Sequence, residues 1–132
     1  MILVDTSALV PFFRGTDTDA ARCLASALQH DIPVFFTPVV VQELLQGARN
    51  EKEWATLRRH LARQALVNPT DPLATHRRAA RIYFDCRRRG LTIRSTIDCF
   101  VAQLALEHGL TVLQDDRDYQ VIRAVRALKL LP

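Results

Sequence analysis

Short runs of β-branched and aromatic residues alternate with longer helical segments along this chain, and this alternation restricts its fold more than any other feature. Strand-like runs occupy residues 1–4, 33–36 and 110–114. Helical spacing of apolar residues and capping signals predict helices over residues 16–30, 39–48, 51–63, 72–89 and 95–109. Because parallel strands need crossover helices, the pattern predicts an α/β protein with a mostly parallel central sheet flanked by helices.

The helix boundaries carry local signals. Thr37-Pro38 and Asp71-Pro72 each have the form of an N-cap followed by proline at the first helical position. The segment over residues 95–109 is apolar almost all round, which predicts a central, buried helix. For the tail over residues 121–132 we predict a short helix and an edge strand.

Length and composition fit one globular domain over residues 1–132. The chain is 48% hydrophobic and 24% charged, an ordinary balance for such a domain. Its first apolar stretch reaches Asp5 after a few residues, whereas a membrane span needs about 20 apolar residues. We therefore expect a cytoplasmic protein without a membrane segment. Cys23, Cys86 and Cys99 are far apart, so buried thiols are expected rather than disulfides or a zinc site.

Acidic residues follow the predicted strands. Asp5 ends the first strand, Asp115 and Asp116 end the third, and Glu43 lies under two turns into the helix after the second. In open parallel sheets, ligands bind outside the carboxyl ends of the strands. Asp5 or Asp116 could instead serve a turn, and Glu43 could be a solvated helix residue. Their common edge favours one shared site.

Asp98 lies in the first turn of the buried helix, on the same side as Val101 and Ala102. A charged residue on an inward face needs a partner. Ser95-x-x-Asp98 also has the form of a capping box, in which the acid would satisfy the helix start. Taken together with the acids at the strand ends, Asp98 is predicted to join the same site.

Converging carboxylates repel one another and call for a cation. Two unit charges about 4 Å apart cost on the order of 4 kcal/mol at an effective dielectric of 20. The candidate ligands are all hard oxygens, and the four histidines are scattered, which favours Mg²⁺ or Mn²⁺ over zinc. The formal net charge is +4, and a basic protein with an acidic metal site suits phosphodiester hydrolysis.

Arginines cluster on the predicted helices, and two interpretations stay open. They could form solvated helix faces, with the arginines at helix ends suiting the dipole. They could instead contact nucleic-acid phosphates, largely without regard to sequence. The candidate nucleic-acid-binding residues are Arg87, Arg88, Arg89 and Arg94.

These residues together resemble the PIN-domain family, and within it the VapC-type toxins of bacterial toxin–antitoxin pairs, over essentially the whole chain. The likeness rests on an ordered set of stretches: ILVDTSALV, VVVQELLQGA, STIDCFVAQLALEHG and VLQDDRDYQVI. The resemblance implies a PIN-like α/β/α sandwich and an endoribonuclease that depends on Mg²⁺ or Mn²⁺. It also implies an RNA substrate, a homodimer and a small antitoxin encoded alongside.

The resemblance also assigns site residues. The implied catalytic residues are Asp5, Glu43, Asp98 and Asp116. The implied metal ligands are Asp5, Asp98 and Asp116, with Glu43, Asp118 and Ser7 as further candidates. In QDDRDY, Asp115, Asp116 and Asp118 compete for the last acidic position. The family's aspartate-x-aspartate-aromatic pattern favours Asp116, with Asp118 second.

Three other functions compete with this interpretation. A phosphatase could use Asp5 as nucleophile, but such enzymes usually carry a second Asp two residues on, where this chain has Ser7. A receiver-like signalling domain also uses acids at strand ends, but it needs a lysine ending a later strand, and Lys52 and Lys129 are poorly placed for that role. A catalytically inactive protein that binds nucleic acid or an antitoxin is the third.

Overall fold

A computed structural model describes residues 1–132 and contains one five-stranded sheet. Every strand pair in it is parallel, in the order β3-β2-β1-β4-β5. The strands are β1 Ile2–Val4, β2 Val34–Phe36, β3 Ala65–Leu66, β4 Thr111–Leu113 and β5 Leu130–Leu131. The predicted α/β class is thus confirmed, with a sheet that is parallel throughout.

Seven helices complete the fold. They are α1 Thr6–Arg14, α2 Asp19–Gln29, α3 Pro38–Gln46, α4 Glu51–Leu61, α5 Pro72–Arg88, α6 Thr96–His108 and α7 Arg117–Arg123. Thr37 caps α3 and Asp71 caps α5, each accepting a backbone N–H, and proline takes the first position of both helices. None of the helices combines the length and hydrophobicity needed to cross a lipid bilayer.

Two elements have no counterpart in the sequence pattern. Helix α1 begins directly after Asp5 and contains Pro11, and an interior proline normally argues against a helix. Strand β3 is only two residues long and both are exposed, so it has no apolar periodicity to reveal it. The short tail helix also starts earlier than predicted, at Arg117 rather than at residue 121.

The core surrounds helix α6. Val101, Ala102, Leu104 and Ala105 are fully buried in it, as its all-round apolar sequence predicts. Helix α6 packs chiefly against α5, and one cluster of 29 buried residues joins both helices to the sheet. That residues 1–132 act as one independent domain stays a prediction.

This arrangement brings several chain segments to one edge of the sheet. Helices α1, α3 and α7 begin just after β1, β2 and β4, at the carboxyl ends of parallel strands. Helix α6 leads into β4 and therefore runs in the opposite direction, which brings its first turn to the same edge. In open parallel sheets this edge is where ligands bind.

Candidate metal centre

Asp5 is buried and fully engaged at the end of β1, with only 4% of its surface exposed. Its Oδ2 accepts hydrogen bonds from the Ser7 backbone N–H at 2.9 Å and from the Ser7 hydroxyl at 2.6 Å. Its Oδ1 accepts one from the Tyr119 hydroxyl at 2.7 Å. Asp5 therefore also caps α1, so the structural role and a place at the acidic edge occur together.

The two hydroxyls behind Asp5 tie neighbouring segments to it. The Thr6 hydroxyl donates to Glu43 Oε2 at 2.5 Å, which links the start of α1 to α3. The Ser7 hydroxyl accepts the Asp115 backbone N–H at 2.9 Å, which links α1 to the end of β4. Thr6 and Ser7 thus hold three segments together at this edge.

Asp98 has a buried carboxylate oxygen with no hydrogen-bond partner. The residue is 7% exposed, and the oxygen without a partner is Oδ2. Burial, followed by the charges of Asp5, Asp116 and Asp118, raises the pKa of Asp98 to about 8. A carboxylate oxygen that is buried, unpartnered and surrounded by like charges is suited to receive a cation.

Asp98 does not form a capping box with Ser95 at the start of α6. The Ser95 side chain makes no capping hydrogen bond, and the Ser95 backbone N–H donates to Asp118 Oδ2 at 3.1 Å instead. Asp118 also accepts the Arg94 backbone N–H at 2.7 Å. An acid from α7 therefore satisfies the start of α6, which leaves the Asp98 side chain free of that task.

Arg94 partly neutralises the remaining acids. Its Nη2 lies 2.6 Å from Asp116 Oδ1 and its Nε lies 3.2 Å from Asp118 Oδ1. These two carboxylates raise the pKa of the Arg94 guanidinium, with the Asp118 hydrogen bond as the largest cause. The Asp116 side chain stays 33% exposed, whereas that of Asp118 is 1% exposed. Asp116 is therefore the more accessible of the pair.

Carboxylate oxygens of Asp98, Asp116 and Asp118 lie within 4.8 Å of one another. All are hard oxygen donors, and Asp98 also has an unpartnered Oδ2, so the residues present fit a divalent cation such as Mg²⁺ or Mn²⁺. Asp5 lies outside this closest group, yet it is near enough for its charge to raise the pKa of Asp98. Glu43 is connected to the start of α1 through the hydrogen bond from the Thr6 hydroxyl.

The other predicted site residues are more dispersed. Asp115 is exposed, and only its backbone N–H is tied to the edge. Arg87, Arg88 and Arg89 are exposed around the end of α5. Arg94 does not stand with them as a free cation, because it is paired with the acids. Contact of these arginines with RNA stays a prediction.

Tyr119 is the site residue that the sequence pattern does not reveal. It is fully buried, and burial is the largest cause that raises its pKa well above the ordinary range of tyrosine. Its hydroxyl therefore stays protonated and donates to Asp5. The aspartate-x-aspartate-aromatic pattern contains this position, but the pattern requires only an aromatic ring and gives no sign that a hydroxyl is used.

Comparisons with known proteins show the family to which this fold belongs. A family model described as "PIN domain" matches residues 2–125. Ribonuclease VapC11 of Mycobacterium tuberculosis is 35% identical over 130 residues, which cover 98% of this chain and 96% of that protein. Ribonuclease VapC51 of the same species is 34% identical over 123 residues, with coverages of 93% and 85%.

Solved structures share the fold. The structure of VapBC2 from Rickettsia felis bound to a promoter DNA fragment aligns with a TM-score of 0.74 and 17% identity, over 99% of this chain and 98% of that one. The structure of FitAcB from Neisseria gonorrhoeae aligns with a TM-score of 0.70 and 23% identity, over 100% and 97%. The chain therefore belongs to the PIN-domain family, with ribonucleases of the VapC group among its sequence relatives.

Proposed function

We propose that this chain is a Mg²⁺- or Mn²⁺-dependent endoribonuclease that acts as the toxin of a toxin–antitoxin pair. One observation carries the proposal: the buried Asp98 Oδ2 has no partner, although it lies among carboxylates at the ligand-binding edge of the sheet. The relatives named as VapC ribonucleases support RNA as the substrate. A basic chain with a net charge of +4 is consistent with a polyanionic substrate.

The proposed roles follow from how each acid is held. Asp98 and Asp116 would ligate the ion directly, because the first has a free oxygen and the second is partly exposed. Asp5 would complete the negative site from its position between Ser7 and Tyr119. Asp118 is saturated by backbone and side-chain donors, so we assign it to positioning α6. A bound Mg²⁺ or Mn²⁺ would activate water and neutralise phosphate oxygens.

Glu43 is the proposed proton acceptor. Its Oε2 accepts the Thr6 hydroxyl, which fixes the side chain toward the edge, and Oε1 remains available for a proton from the attacking water. Asp5 is a poor candidate nucleophile for the phosphatase alternative, because both of its oxygens accept short hydrogen bonds. Membership in the PIN-domain family argues against a receiver-like signalling domain.

The ribonuclease proposal is tested by cleavage of a structured RNA with Mg²⁺ or Mn²⁺, with EDTA as the control. Asp98→Asn in the same assay isolates the acid that carries the proposal. We expect cleavage only with a divalent ion and none from the variant. Full activity in EDTA would contradict the metal requirement. A folded protein that binds RNA without cutting it under any of these conditions would favour the inactive binding protein.

A protein partner is the second part of the proposal. The structural relatives were solved as VapBC and FitAB assemblies, which supports a small antitoxin for this chain. Among the apolar residues of α1, Leu9 is buried, whereas Phe13 is 37% exposed. Phe13 lies near His60 of α4, with ring centroids 6.2 Å apart, and Trp54 on the same helix is 43% exposed. These aromatic side chains are the proposed anchor for the antitoxin.

The partner is tested by expressing this chain with its neighbouring gene and tagging only this chain. We expect a small protein to co-purify and to slow RNA cleavage until it is stripped off under denaturing conditions and the chain is refolded. Substituting Phe13 and Trp54 by alanine together should weaken that association. Equal cleavage by the complex and by the refolded chain would contradict the toxin assignment while leaving a free-standing nuclease intact.

A homodimer is the third part. An apolar pocket of about 660 Å³ opens between α5, α6 and the start of α3, lined by residues that include Val39, Ala80, Tyr83 and Phe100. A second copy of this chain would cover this surface, which adjoins the first turn of α6. Light scattering should give twice the mass of 15.0 kDa, and Ala80→Arg should give monomers. A monomeric wild-type chain would contradict this part alone.

A further inference from the structure

A small basic pocket lies apart from the acidic centre, between the end of α5 and the segment after α7. Its volume is about 350 Å³, and it is lined by Asp85, Arg88, Arg89, Val125 and Arg126. Three arginines and one aspartate leave an excess of positive charge there. The pocket is open to solvent and holds few apolar atoms, so it is suited to an anion rather than to an apolar ligand.

The single carboxylate does not neutralise the pocket. Asp85 Oδ2 accepts Arg126 Nη2 at 2.8 Å and Asp85 Oδ1 accepts Arg81 Nε at 2.9 Å. Hydrogen bonding to Arg126 is the largest cause that lowers the pKa of Asp85, so this carboxylate stays ionised and is fully used. No carboxylate lies within ion-pair distance of Arg88 or Arg89. Both guanidiniums therefore remain available to an added anion.

The guanidiniums are held in place by contacts that leave donors free. Arg89 Nη1 donates to the Ala124 carbonyl at 3.0 Å. The Arg88 guanidinium lies against the Phe84 ring, 5.7 Å from its centroid. Each guanidinium carries five N–H donors, so most donors of Arg88 and Arg89 are unused. Side chains ordered in advance lose less entropy when they bind a ligand.

The helix dipole of α5 does not account for this gathering. Arginines in the last turn of a helix are favoured by its C-terminal carbonyls, and that explanation is sufficient for Arg87 and Arg88 alone. Arg126 comes from a different segment, and Arg89 reaches across to the end of α7. Tertiary contacts rather than helix propensity bring these arginines together.

Helix α7 connects the basic pocket to the acidic centre. Asp116 caps the start of α7, and Val125 and Arg126 follow its end at Arg123. A helix rises about 1.5 Å per residue, so this seven-residue helix is roughly 10 Å long, and the pocket residues Val125 and Arg126 lie just beyond its end. A few linked nucleotides span such a distance. A chain with one phosphate at the acids could therefore place another at the arginines.

We propose that Arg88, Arg89 and Arg126 form a phosphate subsite for single-stranded RNA, remote from the bond that is cut. This inference rests on the proposed ribonuclease function. Guanidinium forks match the geometry of phosphate oxygens, and the Phe84 ring is already covered by guanidiniums, so the pocket offers phosphate contacts rather than base stacking. Helix α7, which leads from the acidic centre to this pocket, favours RNA over an acidic protein segment.

The test compares Arg88→Gln/Arg89→Gln with Arg58→Gln/Arg59→Gln, a matched loss of two exposed charges on α4. Anisotropy of a fluorescent single-stranded RNA is measured with Mg²⁺ and with EDTA over a range of salt, and cleavage gives KM and kcat. We expect the α5 variant to bind RNA about tenfold more weakly, with a salt slope flatter by about 1. Its KM should rise with kcat nearly unchanged, while the α4 variant stays near wild type.

A third variant separates charge from geometry. Arg88→Lys/Arg89→Lys keeps both charges but loses the planar forks, so its RNA binding should lie between wild type and the Gln variant. Circular dichroism establishes that all variants fold. Equal salt slopes for the α5 and α4 variants would overturn the subsite. So would an α5 variant that binds RNA normally but escapes inhibition by the co-purified partner, because the pocket would then serve a protein.

Failure of the two proposals is distinguishable. A wild-type chain that binds RNA without cutting it, with binding weakened only in the α5 variant, would refute the nuclease and support the subsite. A wild-type chain that cuts RNA, with an α5 variant indistinguishable from wild type, would refute the subsite and support the nuclease.

Discussion

The Tyr119 hydroxyl donates a 2.7 Å hydrogen bond to Asp5 Oδ1, and both side chains are buried. Tyr119→Phe removes that donor and leaves a buried carboxylate oxygen without a partner, which costs about 1–3 kcal/mol. We expect the free energy of unfolding, measured in urea, to fall by that amount. Because Asp5 loses one of the three hydrogen bonds that orient it, the affinity for Mn²⁺ should fall about tenfold, as when a residue that orients a metal ligand is changed.

Tyr83→Phe is the matched control for this substitution. Tyr83 is partly buried and lines the apolar pocket rather than the acidic edge, so Mn²⁺ affinity should be unchanged. An unaltered Mn²⁺ affinity in Tyr119→Phe, together with lower stability, would reduce the role of the hydroxyl to core packing.

Asp98→Asn tests whether the unpartnered oxygen binds the ion. Asparagine has nearly the same size, and the start of α6 is satisfied by Asp118 rather than by Asp98, so the variant should fold. We expect calorimetry to show no Mn²⁺ binding and RNA cleavage to fall by more than about 100-fold, beyond the effect of an outer-shell change. Asp71→Asn is the matched control, because it makes the same chemical change at the cap of α5. It should retain both Mn²⁺ binding and RNA cleavage.

The pKa of Asp98 predicts how stability depends on pH without metal. In the unfolded chain this group releases its proton near its ordinary pKa of 3.8, whereas in the folded protein it holds the proton up to about 8. Between these values the folded state binds more protons, so its stability falls as pH rises and levels off above the higher value. We expect Tm in EDTA to decrease from pH 5 to pH 8 more in wild type than in Asp98→Asn.

Saturating Mg²⁺ should remove that difference, because a cation stabilises the charged form of Asp98. Titrations at fixed pH should also give tighter Mg²⁺ binding as pH increases toward 8, since the proton competes with the ion. Parallel Tm curves for wild type and Asp98→Asn in EDTA would show that Asp98 is already ionised in the metal-free protein.

Arg94→Gln tests the partial neutralisation of Asp116 and Asp118. Removing the guanidinium leaves like charges less compensated, so the metal-free protein should have a lower Tm and gain more from Mn²⁺ than wild type does. Arg49→Gln breaks an exposed ion pair with Glu53 and is the control. It should change neither the Tm of the metal-free protein nor the gain in Tm from Mn²⁺ measurably. An equal loss of Tm with and without Mn²⁺ would mean that Arg94 serves only to anchor the α6 start.

Local sequence accounts for most of the architecture of this protein, apart from α1 and β3. Strand-like runs separated by helical segments imply a parallel sheet, since the crossovers leave few other arrangements. Thr37 and Asp71 cap their helices through hydrogen bonds to residues three positions further on, so the starts of these helices can be predicted from the local sequence. The acids at the strand ends were identifiable for the same reason, because chain direction alone brings them to one edge.

Tertiary packing sets which contacts each acid makes. Asp118 meets the α6 start from 23 and 24 residues away, and this contact frees Asp98 from the capping role that its local sequence suggests. The Tyr119 hydroxyl contacts Asp5 across 114 residues of sequence. Arg94 pairs with Asp116 and Asp118 instead of remaining a free cation like the arginines that precede it in sequence. Periodicity and caps encode contacts within a few residues, whereas a donor's choice of acceptor depends on which side chains packing brings within 3 Å or so.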